Sequence, residues 1–311
     1  MGAGAVGGYF GSHLAMAGRE VTFLVRPARD RLMKERGLVL HSADGETHRI
    51  EPQTVSAPAI GGAFDLVLLA VKAYALEGAM DDLGAAVGPA TLILPALNGI
   101  RHIEALQARF GRGHVLGGVC VVMTQLEEDG AIRQLLPGAS LAYGSLDGPA
   151  NTRLDRVHAT LSGAGFDTSL SQSIELEMWE KWMILAAGGA LTTLLRGTAG
   201  EITRARGGLS TAREIIRECV DIATAAGFAP RRAALDFVEQ LLLEPGSKFA
   251  TSMYRDLMQG HDVEADQILG DLLDRAERLR VHAPLTTAAY AALSAYMNAK
   301  NPAAARHHDE S

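Results

Sequence analysis

Cysteine is scarce. Cys120 and Cys219 are the only two, far apart and outside any CxxC or Cys/His spacing, which argues against a disulfide framework and a structural zinc site. They read as buried thiols of a reducing compartment. Basic residues are in the minority, 29 Lys and Arg against 36 Asp and Glu, and form no basic cluster. Neither nucleic acid nor an anionic membrane is therefore an expected partner, and a small molecule is. Long apolar runs are missing too: the longest, Trp182 to Leu195, is interrupted by Gly and Thr and is shorter than the roughly 20 residues of a bilayer span. The N-terminus carries no basic stretch, so it does not read as a signal segment, and a cytoplasmic protein is expected. Aromatic residues are few, 5% of a chain that is 48% hydrophobic, a globular composition. Its 311 residues suffice for two domains with a core each.

The chain also lacks something in front of its first motif. Gly2, Gly4 and Gly7 in "MGAGAVGGYFG" form a GxGxxG, which normally follows a buried strand, yet only Met1 precedes it. The glycines serve a tight turn, close backbone approach to a pyrophosphate and tight helix packing, with the helix N-terminus facing the phosphates. Val6, Phe10, Leu14 and Ala17 recur at helical spacing, and "EVTFLVR" (Glu20 to Arg26) reads as a strand. Further strands are expected at Asp65 to Tyr74, Thr91 to Gly99 and Val115 to Leu126, with helices at Leu76 to Val87 and Ile100 to Phe110. Short β segments "AIRQLL" and "LAYGSL" and a helix from Thr152 to Ser162 follow. This alternation predicts a doubly wound, Rossmann-like α/β domain over residues 1–170. Since the first strand of such a sheet is central, the expectation is that the written chain starts late and that an apolar strand of about 5–6 residues precedes Gly2. The alternative is that the sheet closes up or the chain is inactive. After Ser171 helical patterns take over, at Ile174 to Leu195, Leu209 to Ala226, Arg231 to Leu243 and His261 to Arg280, predicting an all-α domain over 171–311. The tail "RHHDES", with His307 and His308, reads as a frayed terminus and not as a metal site, and no metal is expected.

Several polar residues stand where ligands of open α/β sheets lie. Arg26 ends the second strand, with Arg29 and Arg31 close behind; a guanidinium there grips a 2′-phosphate that a carboxylate would repel. NADPH is thus expected over NADH, the alternative being that Arg26 only solvates a strand end. Lys72 and Asn98 end two further apolar strands, beyond whose carboxyl ends a nucleotide or substrate lies; both are also common turn residues. In "MWEKWMILAAGG", Lys181 sits where a helix turns wholly apolar. Lost hydration there suits a general acid or base, whereas a snorkelling lysine paired with Glu177 or Glu180 is the plain alternative. Ser252 and Glu264 lie in "TSMYRDLMQGHDVEAD", where Asp262 and Asp266 leave an acidic solvated face as the other reading of Glu264.

Together, "GAGAVGGYFG", "LVR", "AVKAY", "LNG", "WEKW" and "TSMYRDLMQGHDVEAD" resemble, in order and spacing and over nearly the whole chain, the ketopantoate reductase (2-dehydropantoate 2-reductase) family. The resemblance implies an NADPH-binding Rossmann domain, a helical domain, and reduction of ketopantoate to pantoate for pantothenate and coenzyme A biosynthesis. It casts Lys181 as the group that polarises the ketone and protonates the alkoxide, and Asn98 as orienting substrate or nicotinamide. Ser252 would bind the substrate carboxylate and Glu264 its hydroxyl or the lysine. Gly2, Gly4, Ala5, Val6 and Gly7, with Arg26, Lys72 and Asn98, would bind the cofactor. The chain departs from the family where asparagines follow the lysine: here stand Leu185 and Gly189, with no asparagine in "RGTAGEI". A bulkier or less polar 2-oxo acid or ketone is the alternative substrate, with Thr192 and Thr193 as nearby substitute hydroxyls. A non-catalytic NADPH-binding module is the alternative outside enzymes; Lys181, Ser252 and Glu264 favour an enzyme. A homodimer through the helical domain is the partner expected.

Overall fold

A computed structural model describes residues 1–148 and 152–300, which excludes His307 and His308 of the tail. The chain forms two compact units, one of Met1–Leu97 with His102–Glu175, the other of Asn98–Arg101 with the chain from Leu176 onward.

The first unit is Rossmann-like. Its first element is helix α1 (Ala5–Met16), followed by β1 (Thr22–Leu24), α2 (Pro27–Arg36), β2 (Leu38–His41), β3 (Thr47–Ile50), β4 (Gln53–Val55), β5 (Leu66–Leu69), α3 (Leu76–Leu83), β6 (Leu92–Pro95) and α4 (Arg101–Phe110). Then come β7 (Leu116–Leu126), β8 (Ile132–Ser145), α5 (Thr152–Leu161) and β9 (Asp167–Leu170). The parallel sheet is in two halves: β1 pairs with β4 and β5 with β6, all parallel. Between β1 and β5 lies a cavity of about 1020 Å³ walled by Phe23, Leu24, Leu66 and Leu68. Among the described residues no strand precedes the glycine loop. Met1 alone does ladder work there: its α-amino group donates to the Leu68 carbonyl at 2.6 Å and its carbonyl accepts from the Ala70 N–H at 3.0 Å. A residue bonded on either side of Leu69 in this way has the pattern of a parallel strand.

The remaining strands depart from the expected parallel order. β7 and β8 form a long antiparallel pair in a sheet ordered β3-β2-β8-β7, with β9 parallel to β8. The segments "AIRQLL" and "LAYGSL" belong to this one 14-residue strand. Its register shifts where Val122 pairs with Ala139 but Thr124 with Gln134, so Pro137 and Gly138 fall in the irregularity, where a missing N–H is tolerated.

The second unit is helical. It is built on α6 (Ile174–Leu195), surrounded by α7 (Ala199–Arg204), α8 (Gly208–Ala225), α9 (Arg232–Leu243), α10 (Ser252–Met258), α11 (Asp271–Leu279) and α12 (Pro284–Lys300). A helix apolar on every side is a core helix, and Trp182, Met183, Ala186, Ala187, Ala190 and Leu191 of α6 are all buried. The helix expected over His261 to Arg280 starts later: residues 261–264 are not helical, and the helix begins at Ala265 and runs through a π-helical turn, Asp266–Gly270, directly into α11. The buried Glu218 of α8 caps α12, accepting from the N–H groups of Leu285 and Thr286 at 2.9 and 2.8 Å and from the Thr286 hydroxyl at 2.7 Å. Among the described residues no helix is long and apolar enough to cross a membrane.

Candidate active site

In the first unit the glycine loop divides its labour. Gly2 has φ +87°, and a Cβ there would lie 2.8 Å from the Ala70 carbonyl oxygen, so turn and close approach both require glycine. A Cβ at Gly7 would collide with the Gly2 carbonyl, whereas at Gly4 nothing lies within 4 Å. Gly4 is the N-cap of α1 and provides no capping side chain, and the first turn holds no acidic residue. Uncapped N–H groups at a 12-residue helix, open space and a partial positive charge fit a pyrophosphate. Ala5 and Val6 are the first helical residues of this turn.

Around this loop, Arg26 is exposed at the N-cap of α2, with Pro27 next to it. Asp30 is held below the usual carboxylate range by Lys34 and Thr54. Arg29, given no role of its own by the motif, ties the loop down: Nε donates to the Ala3 carbonyl at 3.0 Å and Nη1 to that of Gly130 at 2.8 Å. Lys72 does not end the strand: β5 stops at Leu69, and Lys72 is exposed three residues on, at the head of a short 3-10 turn.

In the second unit four candidates are fastened to α6 or to the segment packed on it. Lys181 is half-buried on α6. Its neighbour Glu180 is buried and accepts from the backbone N–H and Nε of Arg231 at 2.8 and 2.9 Å; burial raises this carboxyl's pKa, but Arg231 more than offsets it and the net shift is downward. The next residue, Trp182, donates its indole N–H to the Ile268 carbonyl at 2.9 Å, in the turn that follows Glu264. Asn98 is half-buried, and its partner in the turn, Gly99, has φ +76° with room for no Cβ, which would stand 2.6 Å from the Gln267 carbonyl oxygen.

The acidic stretch does not form one solvated face. Glu264 is buried, while Asp262 pairs with Lys300 at 2.7 Å and Asp266 accepts from the Tyr290 hydroxyl at 2.9 Å. Ser252 is exposed as the first residue of α10. The residues beside it grip α6: Thr251 contacts the Thr192 hydroxyl at 3.1 Å, and a Cβ on Gly189 would come within 2.5 Å of the Met253 methyl carbon. Thr192 and Thr193 donate to the carbonyls of Gly188 and Gly189, each at 2.7 Å. Both are buried and spend their hydroxyl hydrogens within their own helix, which leaves their lone pairs for a partner. Nothing in the spacing marks Trp182 or the π-helical turn; both emerge from contacts between residues 86 apart.

A Rossmann-like unit with an uncapped glycine-loop helix, joined to a helical unit rich in inward polar groups, defines a two-domain oxidoreductase. The family model for ketopantoate reductase PanE/ApbA matches residues 1–148, and that for its C-terminal domain matches 173–297. The chain belongs to the ketopantoate reductase family. It is 33% identical over 95% of its length to the uncharacterized oxidoreductase YkpB of Bacillus subtilis, covering 97% of that protein. To a 2-dehydropantoate 2-reductase of Pyrococcus horikoshii it is 27% identical, over 95% of each chain. Among solved structures, a 2-dehydropantoate 2-reductase from Geobacter metallireducens superposes with TM-score 0.84 at 25% identity, over 94% of this chain and 97% of that one. D-mandelate dehydrogenase with NADH and anilino(oxo)acetate shares the fold, with TM-score 0.85 at 22% identity over 96% and 97%.

Proposed function

We propose that the protein reduces the ketone of a 2-oxo acid with NADPH, yielding the 2-hydroxy acid and NADP⁺ with uptake of one proton, and that ketopantoate, giving pantoate, is the substrate. The carrying observation is that Asn98, Lys181, Ser252 and Glu264 all belong to the second compact unit, around the apolar helix α6. The glycine loop Gly2–Gly7 holds the pyrophosphate at the start of α1, and Arg26 and Lys72 hold the 2′-phosphate side. The bound nicotinamide supplies the hydride. Lys181 Nζ donates to the ketone oxygen and passes its proton to the alkoxide, a cation aimed at charge that grows in the transition state. Glu264 holds the substrate hydroxyl or the lysine, Ser252 donates to the substrate carboxylate, and Asn98 orients substrate or nicotinamide. We place the protein in the cytoplasm as a homodimer through its helical unit.

A second reading, reduction of a less polar 2-oxo acid or ketone, is favoured by Met253 occupying the space beside Gly189 and by the engaged hydroxyls of Thr192 and Thr193. Buried polar groups of a substrate left unpaired cost about 1–3 kcal/mol each. Following NADPH absorbance with ketopantoate and a series of branched and aromatic 2-oxo acids separates the two. Lys181→Ala should lower turnover by about 10²–10⁴ while leaving NADPH affinity near normal. Unchanged turnover would remove the proposed acid.

A further inference from the structure

We propose that Trp182 is a positioning residue: its indole N–H, bonded to the π-helical turn Asp266–Gly270, sets where Glu264 stands relative to Lys181. The inference rests on the reading that Lys181 and Glu264 serve the reaction.

The path is short and continuous. Lys181 and Trp182 are neighbours on α6. Trp182 Nε1 donates to the Ile268 carbonyl at 2.9 Å, and the Ile268 N–H donates to the Glu264 carbonyl at 3.3 Å. One residue thus links the indole to the backbone of Glu264. The indole itself is held: Trp182 is 1% exposed, its ring packs on Trp179 at 4.9 Å, and the Arg275 guanidinium lies 5.5 Å from its centroid. Trp179 in turn stacks on Phe228 at 5.3 Å. A ring fixed this way presents its N–H from one place only.

The turn is gripped at two further points. Tyr290 donates to the Asp266 carboxylate at 2.9 Å, and the Gln267 carbonyl lies against Gly99, where a Cβ would stand 2.6 Å away. The Asn98–Gly99 turn therefore rests on the same π-helical turn. An α-helical continuation would present a different set of carbonyls, since a π-helical turn carries one extra residue; such turns recur at functional sites. The indole bond is its anchor on the lysine side.

The test replaces Trp182 by benzothienylalanine, which exchanges the N–H for sulfur and keeps the ring shape, with Trp182→Phe as a second variant. In the full chain we expect kcat to fall about ten- to a hundredfold, the scale of a misplaced reacting group. KM for NADPH should stay within about twofold of the parent, and amide exchange of Gln267–Leu269 should quicken. In a Lys181→Ala background the same replacement should change the residual rate little, because groups that act as a unit are non-additive. A purely structural role would instead lower both backgrounds alike. Unaltered exchange at the turn, or full kcat in the isostere, overturns the proposal. Full turnover of Lys181→Ala with a slowed isostere would instead strike at the lysine reading, and an inactive parent on every carbonyl tried would strike at the reductase reading. In both cases the exchange measurement still decides the anchor.

Discussion

Five apolar residues added ahead of Met1 should stabilise the first unit and remove a pH dependence from it. Met1 already makes both ladder bonds flanking Leu69, so residues placed before it run back past Val67 and Leu66 into the cavity, whose far wall is Thr22, Phe23 and Leu24. Burying each side chain contributes about 2 kcal/mol and ordering each residue costs roughly 2, so these two offset, and about four new ladder bonds at about 0.5–1 kcal/mol each leave a net of roughly 2–4 kcal/mol. A second contribution comes from the α-amine, which burial lowers from 8.0 to about 5. Between those values the unfolded chain binds more protons than the folded one, so a free amine at Met1 makes stability rise with pH. Its cost is about 1.4 kcal/mol at pH 7, growing to roughly 4 below pH 5. The extended chain, whose amine lies elsewhere, should lose that slope. Amide exchange at Leu66–Ala70 reads the effect locally, and we expect protection at pH 7 to rise by about 3–5 kcal/mol, with the melting of this unit up by about 10 °C. Tryptophan fluorescence would not report it, because Trp179 and Trp182 are in the helical unit. Equal protection with and without the extension, or a free-amine chain that weakens from pH 5 to 8, would refute the reasoning.

The glycine loop makes a paired prediction. Gly7→Ala, colliding with the Gly2 carbonyl, should abolish measurable NADPH binding and lower the melting temperature, whereas Gly4→Ala, in open space, should keep the fold within about 1 kcal/mol and weaken only the cofactor in a titration. Arg26→Ala should cost NADPH about ten- to a hundredfold in dissociation constant, the scale of one charge-assisted contact, and leave NADH unchanged; equal losses for both would assign Arg26 to the strand end. Gly189→Asn must displace Met253, so we expect a destabilisation of about 1–3 kcal/mol together with a kcat/KM ratio shifted towards ketopantoate over branched 2-oxo acids. An unshifted ratio would show that this turn of α6 does not face substrate.

Legibility followed range. The span Ile174 to Leu195 is readable because its apolar run from Trp182 onward needs no partner to declare it, and α6 has those bounds. β8 reads as two segments because Pro137 and Gly138 signal a break locally, while the pairing with β7 that carries the strand through lies across the hairpin. Nothing local marks the π-helical turn within the helix that begins at Ala265, and one of its carbonyls is engaged by Trp182, 86 residues away. α12 is likewise capped from far away in the chain, by Glu218, 67 and 68 residues from the N–H groups it satisfies. At the site, residue types were legible but their engagements were not. Nothing in "LTTLL" distinguishes hydroxyls facing a ligand from hydroxyls bonded to their own helix, as Thr192 and Thr193 are.

The helical unit is discontinuous in the chain, since Asn98–Arg101 belongs to it while the residues on both sides belong to the other unit. Chimeras that trade substrate domains between relatives therefore cannot be made with a single cut near residue 175. Such a splice would set the resident Asn98–Gly99 turn against a foreign residue at position 267, and its failure would resemble poor folding of the imported helices. Three junctions must be matched, and the shorter graft, four residues long, decides whether the longer one succeeds.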